Sequence, residues 1–175
     1  MLDAFGDSLA NQSTADQAVT AATLTYLTGS LISVPAAKLR VGTIFIWRLS
    51  LSKTAAGIAA RAFHVRVGTL GTTADAAVLT FTQTSLPTAV ADDGYIEIVA
   101  TVRGPLSASC IMQGQHRLMH NGNTAGLAAV PVHVLKATSA AFNATTASLK
   151  VGLTVTTGAS EALTFQQVNG EAKNL

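Results

Sequence analysis

The chain has 175 residues, 49% of them apolar and only 11% charged, less than half the ~25% charge of an ordinary soluble domain. Its polarity comes instead from hydroxyls and amides, with 23 Thr beside 31 Ala and 14 Gly, which excludes a disordered chain and a collagen-like one. A net charge of +2 is too small to point to nucleic acid, and the single Cys110 excludes an internal disulfide or a zinc cluster built from thiolates.

Residues 1–22 are read as an N-terminal arm and 23–175 as one domain. Residues 1–37 carry three acidic side chains, Asp3, Asp7 and Asp16, and no Lys or Arg. The other 138 residues hold eleven basic and six acidic groups, so an acidic arm precedes a body of charge +5. Docking of the arm would engage Arg40, Arg48, Arg66, Arg103 or Arg117 of its own body or of a neighbouring copy. Ser13 to Ala22 is the one stretch with helical character. A strand is expected near Thr23 to Val34.

Beyond it the period is two. Phe45, Trp47, Leu49 and Leu51 alternate with a set ending in Arg48 and Ser50, which predicts a strand with one strongly apolar face and Trp47 in the core. Lys53 to Ala60, interrupted by Gly57, reads as a loop. Phe63, Val65 and Val67 alternate with His64 and Arg66, and Leu79 and Phe81 with Thr80 and Thr82. Asp92-Asp93-Gly94 is a turn signal rather than a calcium loop, since the spaced acidic pattern and terminal Glu are missing. Ile96, Ile98, Ala100 and Val102 follow, then a long strand from Ser109 to His120 in which Gly114 is a candidate bulge. Val130, Val132 and Val134, Leu149 to Val155, and Leu163 with Phe165 complete about nine strands. Short strands with turns between them and no helix in the body predict an all-β jelly-roll-like antiparallel sandwich.

Motifs that carry chemistry are few. His116 and His120 share a strand face ~13 Å apart at about 3.3 Å per residue, too far for one zinc ion. Glu97 and Glu161 are the candidate paired carboxylates, although nothing in the sequence brings them together. No phosphate loop or nucleophile elbow occurs, and 5% aromatic residues is sparse for stacking on nucleic acid or a typical sugar groove. Catalysis, a cofactor and a metal are therefore not expected. No charge-free run has the length and apolarity of a membrane span, and the acidic start is the reverse of a secretory signal. Apolar residues on both faces of strands, Ile44 and Ile46 opposite Phe45 and Trp47, exceed what one core needs; self-association would cover them.

The segment Leu51-Ser52-Lys53-Thr54-Ala55-Ala56-Gly57 with Phe63-His64-Val65-Arg66-Val67-Gly68-Thr69-Leu70-Gly71-Thr72-Thr73-Ala74-Asp75 resembles small structural proteins of tailed-bacteriophage virions. So do Asp93-Gly94-Tyr95-Ile96-Glu97-Ile98, Thr101-Val102-Arg103, Lys136 to Phe142 ahead of Leu149 to Leu153, and Phe165 to Glu171. The resemblance implies a jelly-roll module, commonly trimeric, that acts as a head decoration or cement protein bound to the major capsid protein on the outer surface of the head. It implies no cofactor or enzymatic residue. The alternative it leaves is a tail-tip or head-fibre module that binds a receptor or carbohydrate through the loops 68–75, 121–129 and 156–159.

Overall fold

Alternation of apolar and polar side chains at period two gives the chain strands and nothing else: no helix occurs among the residues described by the computed structural model, which are 8–20, 22–35, 37–55, 57–83, 88–121 and 125–175. The strands are β1 (Leu9–Ser13), β2 (Gln17–Thr20), β3 (Leu24–Tyr26), β4 (Ile32–Pro35), β5 (Ile44–Lys53) and β6 (Ala62–Gly68). They continue with β7 (Ala76–Thr82), β8 (Asp92–Gly104), β9 (Ile111–His120), β10 (Val132–Thr138), β11 (Ser148–Thr156) and β12 (Ala162–Lys173). The larger sheet has the order β1-β12-β5-β8-β9-β10, with β2 also on β12; the smaller has β3-β11-β6-β7, with β4 also on β11. Every pairing is antiparallel. The two sheets form the expected jelly-roll-like sandwich.

The inner faces build the core. Phe45, Trp47, Leu49 and Leu51 of β5 and Ile96, Ile98, Ala100 and Val102 of β8 are buried against Phe63 and Val65 of β6 and Val151, Leu153 and Val155 of β11. Trp47 is completely buried, stacks on Phe45 at 5.9 Å between ring centroids, and donates its indole N–H to the Ser30 carbonyl at 2.8 Å. That bond satisfies the one polar group that burying a tryptophan brings inside. Gly170 faces Trp47 from β12, and a Cβ there would stand 3.0 Å from the indole.

Asp92-Asp93-Gly94 does not turn but begins β8, paired with Leu51–Lys53 of β5, and three further local expectations change. Ser13 to Ala22 is not helical: Gln17–Thr20 pairs with Ala162–Phe165, burying Val19 between exposed Ala18 and Thr20. Pairing with β12 overrides the weak helix preference of an Ala-rich stretch. The single strand near Thr23 to Val34 is two short ones, because the chain turns at Gly29, whose φ is +88° and whose missing side chain lets it lie against the backbone of Gln12 and Ser13. Gly114 lies in unbroken register opposite Ala100; the shift on that pair comes between Val102 and Gly104. Gly114 is needed for space instead, since Leu79 and Phe81 of the facing sheet would each lie 2.7 Å from a Cβ there.

Candidate functional site

Three polar regions stand out, and each follows from which way a strand turns its odd or even residues. The first is the outer face of the larger sheet. Register places Gln12 of β1, Asn169 of β12, Arg48 of β5, Glu97 of β8, Arg117 of β9 and Val134 of β10 in one row across six strands. Arg48 is the hub. Its Nη1 lies 2.7 Å from Glu171 Oε1 and its Nε 3.3 Å from Glu97 Oε2, while Lys173 Nζ approaches the other Glu171 oxygen at 3.3 Å. The hydrogen bond to Glu171 holds the guanidinium's pKa above its ordinary value, against a smaller opposing effect of burial. Burial works against the Glu171 carboxylate, but the hydrogen bonds and charges of Arg48 and Lys173 outweigh it and hold its pKa low. Beside Arg48 opens a pocket of about 470 Å³, walled by Gln12, Asn11, Asn169 and Glu171 and floored by the chain at Gly170.

The second region lies inside one end of the sandwich, where Lys53, Arg61, Asp92, His120 and Glu161 collect. Arg61 and Glu161 have fully buried side chains and meet at 3.1 Å. Arg61 Nη2 also donates to the Leu127 carbonyl at 2.8 Å, which accepts from Gln83 Nε2 as well. Asp92 Oδ2 accepts from the Leu127 N–H at 2.9 Å and faces His120 Nδ1 at 2.8 Å. Burial lowers the Arg61 pKa and raises that of Glu161, each partly countered by the partner's charge. Burial likewise lowers Lys53, whose ammonium donates to the carbonyls of Thr54 and Thr88. A second pocket, of about 430 Å³, opens to solvent beside Lys53, Asp92, Asp93 and Asn121.

The third region is the outer face of the smaller sheet, where Tyr26, Thr154, His64 and Thr80 form a row across four strands. His64 Nδ1 lies 3.0 Å from Thr80 Oγ1, and Arg66 Nε donates to Thr154 Oγ1 at 3.0 Å. Arg66 Nη1 donates to the carbonyls of Thr73 and Asp75, and Asp75 in turn accepts from the backbone of Leu70 and Thr72. Arg66 therefore locks the 68–75 loop to its own strand. Burial, helped by the Asp75 charge, pushes the Tyr26 hydroxyl up to about 12.

The arm expectation receives little from these regions. Asp3 and Asp7 lie outside the described residues, and Asp16 is exposed in the turn between β1 and β2. Arg48 is engaged by Glu97 and Glu171 and Arg66 by backbone carbonyls, while Arg40, Arg103 and Arg117 are exposed. Glu97 and Glu161 do not form a carboxylate pair: one is on an outer face and the other is buried beside Arg61. His116 is buried between the rings of Phe63 and Phe81, 5.2 and 5.8 Å away, with neither ring nitrogen hydrogen-bonded to protein. His120 is on the same strand but against Asp92. Among the described residues no group of three or more His, Cys, Asp or Glu is placed to hold a metal ion, and Cys110 is free and buried.

The buried charge cluster was not anticipated. Arg61 and Glu161 lie just before β6 and β12 in phase with the inward residues Phe63 and Leu163, yet a hundred residues separate them and only the fold brings them together. The role of Arg48 as the centre of two ion pairs was likewise hidden, although its outward direction was legible.

No protein family matches the chain, and no curated protein does. Among solved structures it is similar to the CBM2 module of the evolved Dit of Lactobacillus casei BL23 phage J-1, with 8% identity, a TM-score of 0.33 and 96% of this chain and 98% of that one covered. It is also similar to a variant of the alginate lyase Aly36B in complex with alginate trisaccharide, with 9% identity, a TM-score of 0.29 and coverage of 91% and 81%.

Proposed function

We propose that this chain is a non-enzymatic structural protein of a tailed-phage virion, of the decoration or cement type, which binds the outer surface of the head as a homotrimer in contact with the major capsid protein. The observation that supports this reading is an uncovered apolar region on the larger sheet. Val132 and Val134 of β10 are 47% and 60% exposed. Register continues the Val132 row inward through half-buried Met119 of β9 and Tyr95 of β8, while the neighbouring Val134 row runs into Arg117, Glu97 and Arg48, so the apolar region is confined to the β10 side of this face. β10 is also the last strand in the order of its sheet among the described residues. An exposed edge carrying valines is an association site unless something covers it. A second copy of the chain covers it most simply, because one edge supplies both hydrogen bonds and apolar contact.

Light scattering on the purified chain tests the premise. A mass near three times 17.9 kDa is expected, with Val134→Lys shifting it to the monomer. A wild-type monomer would remove the support. Virion copy number then separates head from tail, hundreds of copies being expected for a decoration protein. A second reading, a receptor-binding module at a tail tip or head fibre, is favoured by a different observation, the pocket beside Arg48.

A further inference from the structure

We propose that the pocket beside Arg48 binds a neutral saccharide, an inference that rests on the receptor-binding reading and is independent of how the chain self-associates. The pocket's volume of about 470 Å³ falls in the range of small-ligand sites. Its walls carry planar groups that between them donate and accept: the amides of Gln12 and Asn169, which do both, the Arg48 guanidinium, which donates, and the Glu171 carboxylate, which accepts. Vicinal hydroxyls of a sugar present matching donor and acceptor pairs, and bidentate contacts with planar side chains hold them in one orientation.

Charge argues for a neutral ligand. Arg48 and Lys173 are balanced by Glu97 and Glu171, and the carboxylates already occupy Arg48 Nη1 and Nε. A phosphate or uronate would add a further negative charge beside Glu97 and Glu171, whereas a hydroxyl adds to the set without adding charge. The site is also built in advance. Arg48 is held from two sides, and Asn11 is fixed by donating Nδ2 to the Leu31 carbonyl and accepting from the Gln12 N–H. Asn169 lines the pocket, and its Oδ1 is buried in the wall with no hydrogen bond to protein, an acceptor left over by the fold that a turn of the amide would bring to a ligand. Side chains already ordered lose little entropy when a ligand arrives.

The loops at 68–75, 121–129 and 156–159 are the other candidate positions for a sugar, residues 122–124 of the second lying outside the described residues. The first of them is closed on itself by Arg66 and Asp75, whose side chains are committed to its backbone.

The test is saturation-transfer NMR on the full chain with glucose, galactose, N-acetylglucosamine and rhamnose, each at millimolar concentration, with galacturonate and inorganic phosphate as charged competitors. At least one neutral sugar is expected to bind. Gln12→Ala and Asn169→Ala should each weaken it about tenfold, the loss expected for one good hydrogen-bonding group, with an unchanged oligomeric mass. Galacturonate and phosphate should not compete. Competition by phosphate would make this an anion site and overturn the proposal. Sugar binding that survives both substitutions would overturn this site yet keep the receptor-binding reading, whereas no transfer from any neutral sugar would remove both.

Discussion

Arg48 and Arg61 each meet a glutamate, one on an open sheet face and the other in the interior, and they share almost nothing else. The Arg48 side chain is 41% exposed and those of its partners Glu171 and Glu97 are 25% and 33% exposed, while the Arg61 and Glu161 side chains are fully buried. Water solvates the first set, so the ion pairs contribute less than about 1 kcal/mol to folding, and their groups stay within reach of a ligand. Burial opposes both charges of the second set: it lowers the pKa of Arg61 and raises that of Glu161. Each charge offsets part of the cost of burying the other. Position alone thus turns one pair of residue types into a candidate recognition device and the other into a structural commitment.

The strongest way to break this comparison is to unpair the buried set. Glu161→Gln keeps the volume, removes the negative charge and leaves Arg61 charged in the interior, at a cost of about 3–5 kcal/mol. For a chain of this length that lowers the melting temperature by about 10 °C. The double change Arg61→Met with Glu161→Leu removes both charges and should recover most of the loss. Thermal unfolding followed by circular dichroism reads all three proteins, and a Gln variant as stable as the parent would show that the interior is wetter than the packing implies.

Next in size is His116, which is buried like Arg61 but has no opposite charge beside it. Burial first, then the nearby His133 and Arg61, lower its pKa to about 4. The unfolded chain takes up this proton near pH 6.5 and the folded one only near 4, so the contribution to stability is complete above 6.5 and is lost progressively as pH falls toward 4. The loss amounts to about 2–3 kcal/mol. Urea titrations at pH 7 and pH 4 measure it, and His116→Phe, which suits the slot between Phe63 and Phe81, should flatten this part of the pH dependence. An unchanged pH slope in the Phe variant would assign the acid sensitivity to other groups.

Much of this architecture was legible in the sequence because sheet structure writes itself as alternation. Trp47 among Phe45, Leu49 and Leu51 announced both a strand and its buried side, and Arg48 between them announced an outward face. Legibility ended where structure depends on residues distant in the chain. Gln17–Thr20 is a strand because Ala162–Phe165 lies beside it, and four residues with one buried Val have too short a period to be told from a helical turn. Gly114 looked like a bulge, yet the reason for a glycine comes from Leu79 and Phe81 on the other sheet. The polar sites were hidden for the same reason: Gln12, Arg48 and Asn169 are one row only after three strands have paired.

The smallest stability effect belongs to the exposed set, and there the comparison is sharpest. Arg48→Ala removes two ion pairs, but Glu97 and Glu171 retain water and Glu171 keeps Lys173, so no charge is stranded in the interior. The change in folding free energy should stay below about 1 kcal/mol and shrink further in high salt, where exposed pairs are screened. If the pocket recognises a sugar as proposed, the same substitution removes a wall of it and abolishes binding in a protein that melts within a few degrees of the parent. Arg48→Lys separates charge from shape: a lysine keeps the positive charge but not the planar fork that contacts Glu171 and a diol together. Sugar binding should therefore fall in the Lys variant almost as far as in the Ala variant, whereas a Lys variant with parental affinity would mean that only the charge at this position is read.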